Sequence, residues 1–173
     1  NKVTGVEYRS DCIERANFIK KISNIDVNFI NHKKSADRSN FLEGLDCYDV
    51  VCSFGILHHI CDHEQHLINL RKITKKALLI HTAYYKKQVG RYYNLKRNIS
   101  NLKFFSKKTN YLFAKNTNHP FKSVTGTGAV PYIEDIYEIL SKLEFSKILQ
   151  ICPNKGVAKL EDLQSIAYII AIV

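Results

Sequence analysis

The 173-residue chain is predicted to be an α/β domain. Its sheet should be doubly wound and mainly parallel, with a last strand that folds back as an antiparallel hairpin. Three observations predict this. Strand-like and helix-periodic segments alternate along the chain. The apolar, β-rich run Tyr48–Phe54 breaks at Gly55, as a buried parallel strand does where it delivers polar side chains to its carboxyl edge. The strands expected at 146–152 and 165–173 are joined by residues 153–164 without a helical crossover of the usual length, which parallel neighbours need.

Taken in order, residues 2–7 read as a strand and residues 11–22 as a helix. In that helix Ile13, Ala16, Phe18, Ile19 and Ile22 recur at helical spacing. Ser10 or Asp11 is expected to cap it, with Glu14 near its positive end. A short strand follows at 26–31, a weak helical or loop segment at 38–45, and the third strand at 48–54. Residues 62–74 form a helix on Leu67, Ile68, Leu70 and Ile73, and residues 77–82 the fourth strand. Downstream, residues 133–143 are helical, and 146–152 and 165–173 are strands. No repeat or low-complexity linker interrupts the pattern.

Composition is that of a globular protein, with 45% hydrophobic and 24% charged residues. The longest wholly apolar run, 166–173, is eight residues, far below the roughly 20 that cross a bilayer, so no membrane partner is expected. No secretory signal opens the chain. The five cysteines form no C-x-x-C pair and read as reduced thiols of an intracellular, cytoplasmic protein.

The words "YDVVCSFGILHHI" at 48–60 resemble the fourth strand and following loop of Rossmann-like (class I) S-adenosylmethionine-dependent methyltransferases. Val3-Thr-Gly-Val-Glu7 resembles their second strand, "ILSKLEFSKILQI" the late helix and strand, and "AYIIAIV" the last strand. The resemblance implies S-adenosylmethionine as cofactor. It implies that Glu7 accepts hydrogen bonds from both ribose hydroxyls, a task suited to an acceptor with two oxygens. A helix-capping role for Glu7 is the competing reading. It further implies that Asn31 and His32 stand near the adenine, and that Ser53, Phe54 and Gly55 border the cofactor.

One departure is large. The family's glycine-rich loop follows a first strand that lies between the second and fourth, and six residues upstream of Glu7 leave no room for either. The chain also lacks methionine. It is therefore expected to be part of a longer chain whose missing segment carries that loop. A degenerate fold binding no cofactor is the alternative.

His58 and His59 are the catalytic candidates, one of them acting as general base or as a donor orienting the substrate; a structural or pocket-wall role for the pair is the competing reading. His63 and His66 fall at i, i+3 beside Asp62 and Glu64, but without H-E-x-x-H spacing or a cysteine pair, so no metal site is expected and a solvated helix face is. Thr82, Tyr84 and Tyr85 end the fourth strand and should line the substrate side.

Charge is segregated. Residues 84–131 contain ten Lys or Arg and no Asp or Glu, so the net charge of +10 sits wholly there. Nine of the 19 aromatics share that stretch, which is read as a basic, aromatic lid (Arg91 and Tyr92 among its substrate contacts) inserted into a core of 1–83 and 132–173. Glycines at 126 and 128 are read as its return hinge. Such a surface suits an RNA or a phosphorylated or carboxylated small molecule. "SFGILHHI" and "AVPYIEDIYEIL" also look like tRNA wobble-uridine modifying methyltransferases.

The expected function is methyl transfer from S-adenosylmethionine to an anionic acceptor. The competing one is a non-catalytic nucleic-acid-binding module on a decayed fold. A nicotinamide-dependent oxidoreductase becomes credible only if the last strand is parallel.

Overall fold

A computed structural model describes residues 2–32, 41–84, 112–115, 127–151 and 165–173. The element order is β1 (Thr4–Glu7), α1 (Ser10–Ser23), β2 (Asn28–Asn31), β3 (Tyr48–Phe54), a one-turn 3-10 helix (Leu57–His59), α2 (His63–Ile73), β4 (Thr74–Tyr84), β5 (Leu112–Lys115), β6 (Thr127–Val130), α3 (Ile133–Lys142), β7 (Lys147–Ile151) and β8 (Ser165–Ile172). The alternation expected from the sequence is therefore present.

Four strands make the larger sheet, in the order β3-β4-β8-β7. β3 and β4 run parallel, with Phe54 opposite His81 as the last pair. β8 is antiparallel to β4, and β7 antiparallel to β8. The C-terminal hairpin is thus antiparallel, which removes the condition for the oxidoreductase reading. β1 and β2 pair in parallel as a separate two-stranded sheet. The break falls between β1 and β3, the place where the resemblance expects a central strand.

The two sheets are nevertheless held in one orientation. At their amino ends the Lys2 ammonium meets the Asp46 carboxylate at 2.8 Å. At their carboxyl ends the His32 ring lies against Phe41, with centroids 5.0 Å apart, and Phe41 against His66 at 6.3 Å. His66 in turn reaches Ser53 at the end of β3, with Nε2 and Oγ 3.2 Å apart. Glu7 and the Gly55 turn therefore sit at the same sheet edge.

The core lies on one face of the large sheet. Side chains alternate across a strand, so Leu78 and Ile80 of β4 and Ala167, Ile169 and Ala171 of β8 point the same way. They meet Leu67 and Leu70 of α2 and Ile136 and Leu140 of α3, all within one apolar cluster. Burying each large aliphatic side chain stabilises the fold by about 1.5–3 kcal/mol.

Four expectations need correction. Among the described residues the large sheet is covered by helices on one face only; Val50, Phe54, Leu149, Ile151, Ile166 and Tyr168 on the other face are exposed. The doubly wound arrangement is not seen there. Second, α1 buries no residue fully, and Phe18, Ile19 and Ile22 are exposed. At 3.6 residues per turn Phe18 and Ile22 lie about half a turn away from Ile13, so the five apolar positions never formed one stripe. Third, neither Ser10 nor Asp11 caps α1: Arg9 holds the N-cap position without a side-chain hydrogen bond. Fourth, the stretch read as a return hinge contributes strand β6, paired antiparallel with β5. The expected segment 38–45 is described only from Phe41 on, where it forms a turn. Residues 85–111 and 116–126 of the expected lid lie outside the described residues.

Candidate active site

The edge that Glu7 and Gly55 share is built by strand ends and the turns leaving them. At Gly55 the chain takes φ +71°, the left-handed region open to glycine, and so leaves β3 sharply. The Gly55 N–H donates to the His81 carbonyl at 2.9 Å, which carries the β3–β4 ladder one step into the turn. A Cβ at Gly55 would meet nothing within 4 Å, so the backbone is open on that side.

Glu7 is half-buried at the end of β1, and its Oε1 accepts the Arg9 N–H at 2.9 Å. The helix-start role foreseen for it is therefore real, although it uses one oxygen; Oε2 accepts no hydrogen bond among the described residues. Asn31 and His32 brace the same turn. The Asn31 amide donates to the Tyr8 carbonyl at 3.3 Å, and the His32 N–H donates to the Glu7 carbonyl at 2.8 Å. Both therefore stand next to Glu7.

Ser53 is buried, and its hydroxyl is engaged with His66 inside the core, so any contact it makes to a ligand at this edge is through its backbone. Phe54 points outward on the open face, edge-on to His81 at 6.3 Å, and His81 packs against Tyr168 at 4.8 Å. Thr82 and Tyr84 are buried at the end of β4. The Thr82 hydroxyl donates to the Ala83 carbonyl at 3.0 Å and lies 3.4 Å from His58 Nδ1. Tyr85, Arg91 and Tyr92 lie outside the described residues.

His58 and His59 are half-buried on the 3-10 turn, with ring centroids 4.0 Å apart. Burial first, then the neighbouring imidazoles of His59, His81 and His63, pushes the His58 pKa down from 6.5 to about 4. His58 is neutral at pH 7. His63 and His66, expected on a solvated face, are fully buried. Their i, i+3 spacing correctly put them on one face of α2, but that face is the inner one. Among the described residues no group of three or more His, Cys, Asp or Glu is arranged to hold a metal, and no helix is long and apolar enough to cross a membrane.

Neither a family model nor a curated protein matches this sequence. Solved structures do match the fold. The N-terminal domain of EvdMO1, crystallised with S-adenosylhomocysteine bound, superposes at TM-score 0.66 and 13% identity, over 99% of this chain and 64% of that one. Magnesium protoporphyrin IX methyltransferase (ChlM) from Synechocystis PCC 6803, with the same molecule bound, gives 0.57 at 11% identity, over 99% and 63%. An O-methyltransferase family protein from Burkholderia thailandensis gives 0.59 at 12%, over 99% and 42%. This chain has the class I methyltransferase fold. It spans less than two thirds of the length of each of these three chains.

Glu7, Asn31 and Phe54 are the last residues of β1, β2 and β3 in this fold, with His32 and Gly55 directly after them. Sequence reasoning did not anticipate Arg9 as the partner of Glu7, Ala83 as that of His58, or His66 as that of Ser53. Arg9 and Ala83 act through backbone N–H groups, which leave no mark in side-chain patterns. His66 could be found only by noticing that it shares a helix face with Leu70.

Proposed function

We propose that this chain belongs to an S-adenosylmethionine-dependent methyltransferase and contributes the ribose-binding and acceptor-side edges of its active site. The observation that carries the reading is the position of Glu7: a carboxylate with one oxygen held by Arg9 N–H and the other clear of protein donors among the described residues, at the sheet edge that also carries the open Gly55 turn. Those residues fit a ribose diol. A carboxylate held in place accepts hydroxyl hydrogen bonds that are stronger than neutral ones. Asn31, His32 and the Phe54–Gly55 backbone are proposed to flank the same nucleoside.

The cofactor supplies an activated methyl group on a sulfonium, so the protein's task is chiefly to align the reactants and exclude water. Thr82 and Tyr84 at the end of β4 are proposed to shape the acceptor side, joined by Tyr85, Arg91 and Tyr92 from the insertion at 84–131. That insertion holds the whole net charge of +10, which supports an anionic acceptor: RNA or a phosphorylated or carboxylated small molecule. The same charge favours the competing reading, a nucleic-acid-binding module without catalysis.

Calorimetric titration of the natural full-length protein with S-adenosylhomocysteine decides between them. Saturable binding is expected. Glu7→Gln should weaken it about tenfold or more, since a hydrogen bond to a charged group contributes about 1.5–3 kcal/mol and 1.4 kcal/mol is tenfold. Absence of heat in the unaltered protein, with salt-sensitive RNA binding retained, would establish the module instead.

A further inference from the structure

We propose that His58 is a positioning residue that ties the turn after β3 to the overhanging end of β4 by accepting the Ala83 N–H, and that it does not take a proton from the methyl acceptor. The need for such a tie follows from the register. β3 ends at Phe54, opposite His81, whereas β4 runs on to Tyr84. Among the described residues, the β3 side of β4 has no strand beyond His81 to supply acceptors. Ala83 sits in that overhang and is buried, so its N–H needs a partner.

His58 supplies it. The Ala83 N–H donates to His58 Nδ1 at 3.5 Å, and Thr82 Oγ1 lies 3.4 Å from the same nitrogen. Together with the Gly55 N–H on the His81 carbonyl, this gives β4 two attachments to the turn, at residues 81 and 83. The first is a backbone ladder bond. The second is a side chain standing in for the missing strand.

The assignment fixes the tautomer. A neutral ring whose Nδ1 accepts carries its proton on Nε2. Neither nitrogen then offers a free lone pair, and a base needs one. The low basicity of the ring agrees: burial and the imidazoles of His59 on the same turn, His81 on β4 and His63 on α2 all oppose a proton there. β6, which runs beside the turn, contributes no ionisable residue between Thr127 and Val130.

The consequence for catalysis, that the cofactor-side turn and the acceptor-side strand end keep one spacing, rests on the methyltransferase reading. The hydrogen bond does not. The experiment therefore reads both on the full-length protein. Imidazole 15N spectra should show His58 as the Nε2–H tautomer at pH 7, and the Ala83 amide should be protected from hydrogen exchange. His58→Asn places Oδ1 where Nδ1 was and should keep both the Ala83 protection and S-adenosylhomocysteine affinity. His58→Leu should speed Ala83 exchange by about fivefold or more, the loss expected for one hydrogen bond, and weaken ligand binding.

An Nδ1–H tautomer, unchanged Ala83 exchange in His58→Leu, or an Asn variant that behaves like the Leu variant would overturn the proposal. Should His58→Leu fail to fold, the tautomer in the unaltered protein decides. If the tautomer and exchange are as expected but S-adenosylhomocysteine does not bind, the positioning role stands and the methyltransferase reading falls.

Discussion

At Gly55 a single backbone angle opens the candidate site. A φ of +71° costs a residue with a Cβ about 1–2 kcal/mol, and no atom crowds the position where that Cβ would be. Gly55→Ala should therefore lower stability by about that amount through conformation alone, read as a shift in the urea midpoint at constant slope. His58 makes a second prediction at this scale. Its folded pKa of about 4 lies below the ordinary 6.5, so the unfolded chain binds the proton more readily. The stability tied to its neutral form is complete above about pH 6.5 and is lost as pH falls toward 4. Denaturation midpoints at pH 7 and pH 5 should differ, and His58→Asn should narrow the difference. An equal loss in both proteins would show that the effect does not come from His58. The single letter His58 announced either a candidate base or a structural side chain; its hydrogen-bond partners, set by the β4 overhang, support the structural reading.

Elements owe their ends to local chemistry that side-chain patterns show unevenly. α2 begins where the Asp62 carboxylate accepts the Gln65 N–H at 2.9 Å, a cap at the residue where the sequence analysis starts this helix. Asp62→Ala should cost about 1 kcal/mol of unfolding free energy. The other end of α2 is held by a clamp no pattern reveals. Arg71 donates from Nε to the Leu143 carbonyl at 3.0 Å and from Nη1 to the Thr74 carbonyl at 3.3 Å, with its guanidinium 5.2 Å from the Phe145 ring centre. It joins the C-terminal ends of α2 and α3. Arg71→Met keeps the stem but loses the donors, and should destabilise by about 1–3 kcal/mol in thermal or urea unfolding. Lysine should not restore it, because one ammonium cannot match the planar fork. The expected strand at 77–82 is Thr74–Tyr84 in the structure. Its extra residues at the start, Thr74, Lys75 and Lys76, are polar and follow the helix directly, so the apolar run alone understates it.

At the scale of the molecule, the described residues build a two-layer core between the large sheet and α2 with α3. Leu140 is fully buried in that core, and Leu140→Ala should cost about 2–5 kcal/mol in the same unfolding experiment. If the loss were under 1 kcal/mol, α3 would not be an integral part of the core. The β1–β2 pair stands apart from the large sheet yet keeps its direction through Lys2–Asp46 and the His32–Phe41–His66–Ser53 contacts. This common direction brings Glu7 to the same edge as the Gly55 turn. Strand and helix alternation, the sharp stop at Gly55, the antiparallel C-terminal hairpin and the segregation of positive charge were all determined by the sequence itself, because each is written in local periodicity, glycine placement or composition. How deeply His63 and His66 are buried, and that His58 pairs with a backbone amide 25 residues away, were decided only by the tertiary structure. Burial and hydrogen bonding between distant segments depend on where the strands end relative to one another, and that register is a property of the assembled sheet.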